Sequence, residues 1–85
     1  MAREMRPTPS LPPQNLEAEV SVLGAMMISP TAITAVADKL RETDFYRDSH
    51  REIYSTITEL FGNGDPVDPI TVTESLVSRL SLIHI

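Results

Sequence analysis

Apolar residues recur at three- and four-residue steps in four separate segments of this 85-residue chain. That spacing places them on one face of an α-helix. The four stripes are Leu16, Val20, Leu23 and Met27; Ile33, Val36, Ala37 and Leu40; His50, Ile53, Tyr54, Ile57, Leu60 and Phe61; and Val72, Leu76 and Leu80, with Val77 alongside. A chain this short holds at most one small domain. The pattern predicts an all-α fold, a small orthogonal bundle of about four to five helices.

Residues that favour helix boundaries flank the first two stripes. Asn15 is the predicted N-cap of the first helix, and Glu17 and Glu19 follow in the first turn, where the helix dipole favours negative charge. Ser29 and Pro30 end the first helix and begin the second, because serine is a good N-cap and proline suits the first helical position.

The third and fourth helices are expected to begin at S/T-x-x-E capping boxes. The two boxes are Ser49 to Glu52 and Thr71 to Glu74. Asp48 is an alternative cap for the third helix, and the glycines of residues 62–64 predict its end. Residues 70–73 are β-branched and would also suit a short strand, but no second strand is available to pair with it, which favours helix.

Three residues have two interpretations each. Gly24 lies inside the first helix, and close packing against a neighbouring backbone explains it better than a merely unfavourable glycine. Phe45 and Tyr46 stand in the connection between the second and third helices. We expect them to fill the gap between these helices, because large aromatic residues mostly serve cores, with binding as the second interpretation.

Charge and proline divide the chain into unequal parts. Residues 1–13 contain four prolines and carry a net charge of +1, from two arginines and one glutamate. We expect this part to be a flexible tail, with a docking arm as the alternative. Residues 14–85 carry five basic and eleven acidic side chains, a net charge of −6. Such a surface is poorly suited to phosphate binding.

The sequence contains no set of residues in a pattern typical of a catalytic site. It contains no cysteine and no G-x-x-x-x-G-K-[ST] phosphate loop. The histidines, His50 and His84, have no close histidine or cysteine partner, and ordinary packing explains His50 better than metal binding. We therefore expect no catalytic, cofactor-binding or metal-binding residue. The absence of cysteine favours a cytoplasmic setting, and no run approaches the roughly 20 apolar residues of a membrane span.

An ordered series of short motifs resembles the N-terminal domain of the bacterial replicative DNA helicases of the DnaB family. The motifs are Leu11–Glu19 (LPPQNLEAE), Val22–Met26 (VLGAM), Val36–Leu40 (VADKL), Asp44–Tyr46 (DFY), His50–Tyr54 (HREIY), Gly64–Asp68 (GDPVD) and Thr71–Val72 (TV). Each motif alone is weakly specific, whereas the whole series in this order is specific. The resemblance runs from about Leu11 to Leu76.

The resemblance implies a non-catalytic, all-α module that forms a collar on a homohexameric ring and takes part in recruiting primase. It also implies a helicase loader as a partner. In the family a separate RecA-like motor domain unwinds DNA with ATP and Mg²⁺ and makes the DNA contact. The expected organisation is a tail at 1–13, an incomplete helicase N-terminal domain at 14–80, and a segment at 81–85 that does not resemble the family.

After Leu76 the family continues through another helix, a long helical hairpin, a linker and the motor. We expect divergence to begin between Val77 and Leu80, as in a truncated gene or a sequencing artefact. The resemblance therefore does not carry the dimerising hairpin, the primase contact or the helicase activity to this chain.

Two other classes of function compete with this interpretation. A stand-alone DNA-binding regulator would use the third helix for recognition, yet that helix carries Glu52 and Glu59 against Arg51 and lacks base-reading Asn, Gln or Lys. A small enzyme would need a catalytic constellation that the sequence does not contain.

Overall fold

Four α-helices joined by short connections make up residues 15–83, the part of the chain that the computed structural model describes, with side chains described for residues 15–79. They are α1 (Leu16–Ile28), α2 (Pro30–Lys39), α3 (Asp48–Gly62) and α4 (Pro69–Ile83), with a 3₁₀ turn at Glu42–Asp44. No strand occurs within residues 15–83. The predicted all-α fold is confirmed, and the strand alternative for 70–73 is wrong. The predicted tail at residues 1–13 lies outside the described residues.

The first two helices begin where the sequence predicts. The Asn15 Oδ1 atom accepts a hydrogen bond from the N–H of Ala18 at 3.0 Å. Ser29 serves both helices. Its N–H donates to the Ala25 carbonyl at 3.0 Å and closes α1, while its Oγ accepts from the N–H of Ala32 at 3.3 Å and caps α2. Both predicted N-caps are confirmed.

Helix α4 begins before its predicted capping box. The Asp68 Oδ1 atom accepts from the N–H groups of Ile70 and Thr71, each at 2.9 Å. The Asp68 N–H donates in return to Thr71 Oγ1 at 3.0 Å. This is a reciprocal box three residues earlier than expected, because Pro69 directly after Asp68 suits the first helical position. The prediction of Thr71 as N-cap is therefore wrong.

The end of α3 is a Schellman motif. The N–H of Asp65 donates to the Leu60 carbonyl at 2.9 Å and the N–H of Gly64 to the Phe61 carbonyl at 3.1 Å. Gly64 has a φ of +80°, the left-handed conformation that this motif requires. The predicted end of the helix at residues 62–64 is confirmed.

Seven apolar side chains form the core where α1, α2 and α3 pack together and α4 packs on α3. They are Leu23, Met26, Ile33, Phe45, Tyr54, Ile57 and Val72. Phe45 is fully buried and its ring centroid lies 5.0 Å from that of Tyr54. Phe45 thus fills the gap between α2 and α3 as predicted, whereas Tyr46 is 53% exposed and does not.

The apolar stripes of the sequence are only partly buried. Val20 is 57% exposed and Phe61 41% exposed, although both belong to predicted faces. In α1 the inward face runs instead through Glu19, Leu23 and Met26. A Cβ atom built on Gly24 would meet nothing within 4 Å, so the expected close backbone packing at Gly24 is wrong.

The two capping assignments give a paired test. Asp68→Ala removes the acceptor of two helix N–H groups and is expected to lower the free energy of unfolding by about 1 kcal/mol. Ser49→Ala is expected to change it by less than about 0.5 kcal/mol, because Ser49 does not cap α3. Urea denaturation followed by circular dichroism measures both. A larger loss for Ser49→Ala than for Asp68→Ala would contradict the assignment.

Candidate functional site

The most unusual feature of the described residues is a carboxylate buried between α1 and α3. The side chain of Glu19 has no exposed surface. Its Oε2 accepts from the N–H of Tyr46 at 2.6 Å, and its Oε1 lies 3.5 Å from the N–H of Arg47. The same Oε1 lies 2.7 Å from Nδ1 of His50. One side chain of α1 therefore binds the connection before α3 and the first turn of α3.

Glu19 holds the two residues that directly precede α3, Tyr46 and Arg47. The helix begins after Arg47, and no side chain next to it in sequence caps it. Glu19 binds the N–H of Arg47, and His50, at the third helical position, binds the same carboxylate. A capping box normally makes this arrangement from neighbouring residues. The prediction of Ser49 as N-cap is wrong because the helix begins at Asp48 and Ser49 lies inside its first turn, and the alternative cap Asp48 is itself the first helical residue.

Burial and hydrogen bonding act on the Glu19 carboxyl in opposite directions. Burial raises the pKa of Glu19, but the hydrogen bonds from the Tyr46 N–H, from His50 and from the Arg47 N–H outweigh it. The pKa of Glu19 is therefore held below its ordinary value, and the side chain is a carboxylate at neutral pH. Its negative charge also lies at the positive end of the α3 dipole.

Side chains of α3 hold the preceding connection in place as well. The Tyr54 hydroxyl donates to the Leu40 carbonyl at 2.6 Å, and Arg51 Nε donates to the Phe45 carbonyl at 2.7 Å. The Arg51 guanidinium also pairs with Asp48 at 2.8 Å. Burial raises the pKa of Tyr54, and the charges of Asp44 and Glu42 raise it further. The hydroxyl is therefore a neutral donor at physiological pH.

Arg79 joins α4 to α3. Its guanidinium donates to Thr56 Oγ1, which is fully buried, and to Ser55 Oγ at 3.3 Å. It also lies 3.7 Å from the Glu52 carboxylate and 3.5 Å from that of Glu59. A guanidinium engaged in this way stabilises the α3–α4 contact.

The DNA-recognition alternative loses support from these contacts. Arg51 lies in α3 and Arg79 contacts it from α4, and both bind acidic side chains of this chain. A recognition helix needs basic and amide side chains directed towards the groove of DNA.

A surface groove of about 230 Å³ lies at the far end of α3, between the start of α2 and the loop that leads to α4. Its lining consists of Pro30, Ile33, Phe61, Gly64, Asp65, Pro66 and Val67. The groove is mainly apolar, and Asp65 is exposed at it. A shape of this kind suits an apolar side chain of a protein partner.

Sequence reasoning placed no catalytic, cofactor or metal residue, and it treated His50 as a packing residue. In residues 15–83, no three His, Cys, Asp or Glu side chains come together as a metal site would require. His50 is buried against Glu19 rather than paired with Asp48. None of the described helices combines the length and the apolar character needed to cross a membrane.

Sequence reasoning missed the role of Glu19, although a signal for it existed. Leu16, Glu19, Leu23 and Met26 follow one another at steps of three, four and three residues. That spacing puts Glu19 in the apolar face of α1. A charged residue in such a face needs partners from another element.

Comparisons with known proteins identify relatives of this chain. The family described as "DnaB-like helicase N terminal domain" matches residues 11–85. The Replicative DNA helicase DnaB of Mycobacterium leprae is 48% identical over 68 residues, which are 80% of this chain and 11% of that protein. The Replicative DNA helicase DnaC of Bacillus subtilis is 48% identical over 68 residues, 80% of this chain and 15% of that protein. The chain thus spans a small part of these relatives.

A solved structure matches as well. The crystal structure of the N-terminal domain of DnaB helicase from Mycobacterium tuberculosis superposes with a TM-score of 0.76 at 48% identity. The match covers 81% of this chain and 48% of that domain.

The buried carboxylate predicts a large effect of one substitution. Glu19→Ala leaves one buried and two part-buried donors without their acceptor and is expected to lower the free energy of unfolding by about 3 kcal/mol. Glu17→Ala, a matched change on the exposed side of the same helix, is expected to cost less than about 0.5 kcal/mol. Chemical denaturation of both variants measures the difference, and equal losses would contradict the assigned role.

The lowered pKa of Glu19 predicts a pH dependence. A carboxyl with a lowered folded-state pKa stabilises the fold above its unfolded pKa, about 4.3. That stabilisation is lost as the pH falls through the lower folded value. The stability advantage of the wild type over Glu19→Gln should therefore be full above about pH 5 and shrink as the pH falls towards 3. Denaturation curves at several pH values test this, and an advantage that grew on acidification would refute it.

Proposed function

The chain belongs to the family of DnaB-like helicase N-terminal domains, and we propose that it serves as the assembly and primase-interaction module of a replicative DNA helicase. The observation that carries this proposal is the superposition on the Mycobacterium tuberculosis domain at 48% identity. At that identity the shared fold extends to a shared lineage. A role in DNA replication follows from the lineage.

The partners of the module are part of the proposal. They are further copies of the chain in a hexameric ring, primase and a helicase loader, all in the cytoplasm. The mainly apolar groove and the exposed apolar residues Val20, Ile28 and Phe61 support a protein-contacting role, because apolar side chains at a surface favour protein contacts.

ATP and Mg²⁺ do not fit the residues present. The 85 residues contain no phosphate loop, and the acidic groups that the structure describes form no cluster of three. The negative charge of residues 14–85 also disfavours a triphosphate. ATP-driven unwinding and the DNA contact are therefore assigned to the motor part of the helicase.

A chimaeric helicase tests the proposal. In the Bacillus subtilis DnaC helicase, the 68 aligned residues are replaced by those of this chain, and the product is compared with the unaltered helicase. We expect the chimaera to retain the sedimentation coefficient of the parent and the parent's stimulation of primer synthesis by Bacillus subtilis primase. The same chimaera with Glu19→Ala should lose both, whereas Glu17→Ala should lose neither.

The possible outcomes separate the two parts of the proposal. A folded chimaera that fails to assemble would contradict the assembly role. One that assembles and unwinds DNA without responding to primase would contradict the primase role. Strong, salt-sensitive binding of duplex DNA by the 85-residue chain would favour the regulator alternative instead.

A further inference from the structure

The two asparagines of the chain stand at opposite kinds of helix end. Asn15 is the N-cap of α1, and Asn63 is the C-cap of α3. Asn63 is followed by Gly64, whereas Asn15 is followed by Leu16. The side-chain amide of an asparagine can react with the backbone nitrogen of the next residue. Because glycine has no side chain to obstruct that approach, the sequence favours the reaction at Asn63.

This reaction releases the nitrogen of the side-chain amide as ammonia. The Gly64 nitrogen gives up its proton and attacks Cγ of Asn63, so that an N–Cγ bond forms. Nδ2 takes up a proton as the Cγ–Nδ2 bond breaks, and a cyclic imide remains. Water then adds to one of the two carbonyl carbons of the imide, and the C–N bond at that carbon breaks. Opening at Cγ leaves aspartate, and opening at the backbone carbonyl carbon leaves isoaspartate.

The turn that carries Asn63 is open to water. Asn63 and both its neighbours, Gly62 and Gly64, are exposed. Among the residues that the structure describes, a Cβ atom built on either glycine would meet nothing within 4 Å. Water therefore reaches the reacting atoms, and the turn has room to change its conformation.

The folded turn keeps the Gly64 nitrogen away from the amide. The Gly64 N–H donates to the Phe61 carbonyl at 3.1 Å in the Schellman motif. Asn63 has a ψ of −3°, which eclipses the Gly64 nitrogen with the backbone nitrogen of Asn63. Ring closure requires that nitrogen on the side of Cβ instead, because Cβ is part of the ring. The hydrogen bond must therefore break and ψ must rotate before the two atoms meet.

This opening does not require the bundle to unfold. The N–H of Asn63 is shared between the carbonyls of Glu59 and Leu60, at 3.1 and 3.2 Å, an arrangement common at helix ends. Helix ends open locally at a free energy far below that of global unfolding. The reactive conformation is thus reached from the native state.

We propose that Asn63 is a site of spontaneous deamidation and that opening of the Schellman motif at the end of α3 sets its rate. The product carries a negative charge at the C-terminal end of α3, which the helix dipole disfavours. Isoaspartate also adds a methylene group to the main chain before Gly64, which displaces the motif. Gly64 and Asp65 line the groove, so the reaction alters that surface with time. This chemistry depends on neither the helicase lineage nor an assembly partner.

Peptide mapping by mass spectrometry tests the site in the purified chain at neutral pH. In water enriched in heavy oxygen, the peptide that contains Asn63 should gain one heavy oxygen atom and yield aspartate and isoaspartate. The peptide that contains Asn15 is the internal control and should stay unmodified. The native chain should react at least about tenfold more slowly than the chain in concentrated urea, because the motif is closed most of the time. An Asn63 peptide that stays unmodified in both states would refute the site.

Low concentrations of urea distinguish local opening from global unfolding. Local opening exposes little surface, so below the unfolding transition the rate should change by less than about twofold. A rate that rises in proportion to the unfolded fraction would show that the reaction needs global unfolding. A native rate equal to the rate in concentrated urea would show that the motif gives no protection. Either result would overturn the assigned role of the motif.

The same substitution at two helix ends tests the consequence of the reaction. Asn63→Asp places the new charge at the C-terminal end of α3 and should lower the melting temperature. Asn15→Asp is the matched control and should not lower it, because aspartate caps a helix as well as asparagine does and the dipole there favours the charge. Thermal denaturation followed by circular dichroism measures both. An equal or larger loss for Asn15→Asp would contradict the assigned effect.

Discussion

Glu19 is a charged group with no access to water, and the arrangement of α1, α3 and the connection between α2 and α3 depends on it. Burying a carboxylate costs several kcal/mol unless hydrogen bonds and opposite charge compensate. Here the compensating donors are the N–H groups of Tyr46 and Arg47 and the ring of His50. These donors surround the carboxylate only when the connection and α3 are in their native positions. The docking of α1 and the ordering of the connection are therefore coupled events.

The connection at residues 40–47 shows what this coupling achieves. It contains only a short 3₁₀ turn and cannot be ordered by helical hydrogen bonds alone. Two of its carbonyls, at Leu40 and Phe45, accept from Tyr54 and Arg51 of α3. With its backbone fixed from both sides, Phe45 is buried completely against Tyr54. The core between α2 and α3 is thus completed by a residue outside the helices, held there by hydrogen bonds to its neighbours.

The sequence was sufficient for features set by neighbouring residues. The helical character of the four segments, the N-caps Asn15 and Ser29 and the end of α3 all depend on contacts within about five residues, and the structure confirms them. The contacts that hold Tyr46 and Arg47 in front of α3 were missed because their acceptor, Glu19, lies 27 and 28 residues earlier in the chain. The apolar periodicity also placed Val20 in the buried face of α1, whereas the structure exposes Val20 and buries Glu19. It identifies an apolar face, whereas the direction in which α1 meets α3 decides which edge of that face is buried. No local sequence pattern could predict the groove, because its lining residues come from α2, α3 and the loop that follows α3.

The hydrogen bonds of the buried Glu19 carboxylate also fix the backbone of an exposed residue, Tyr46. Glu19 holds the backbone of Tyr46 at one end of α3, and Phe61 forms part of the groove at the other, so that helix acts as a spacer of fixed length. The position of Tyr46 relative to the groove therefore depends on the contacts of the buried carboxylate as well as on the length of the helix.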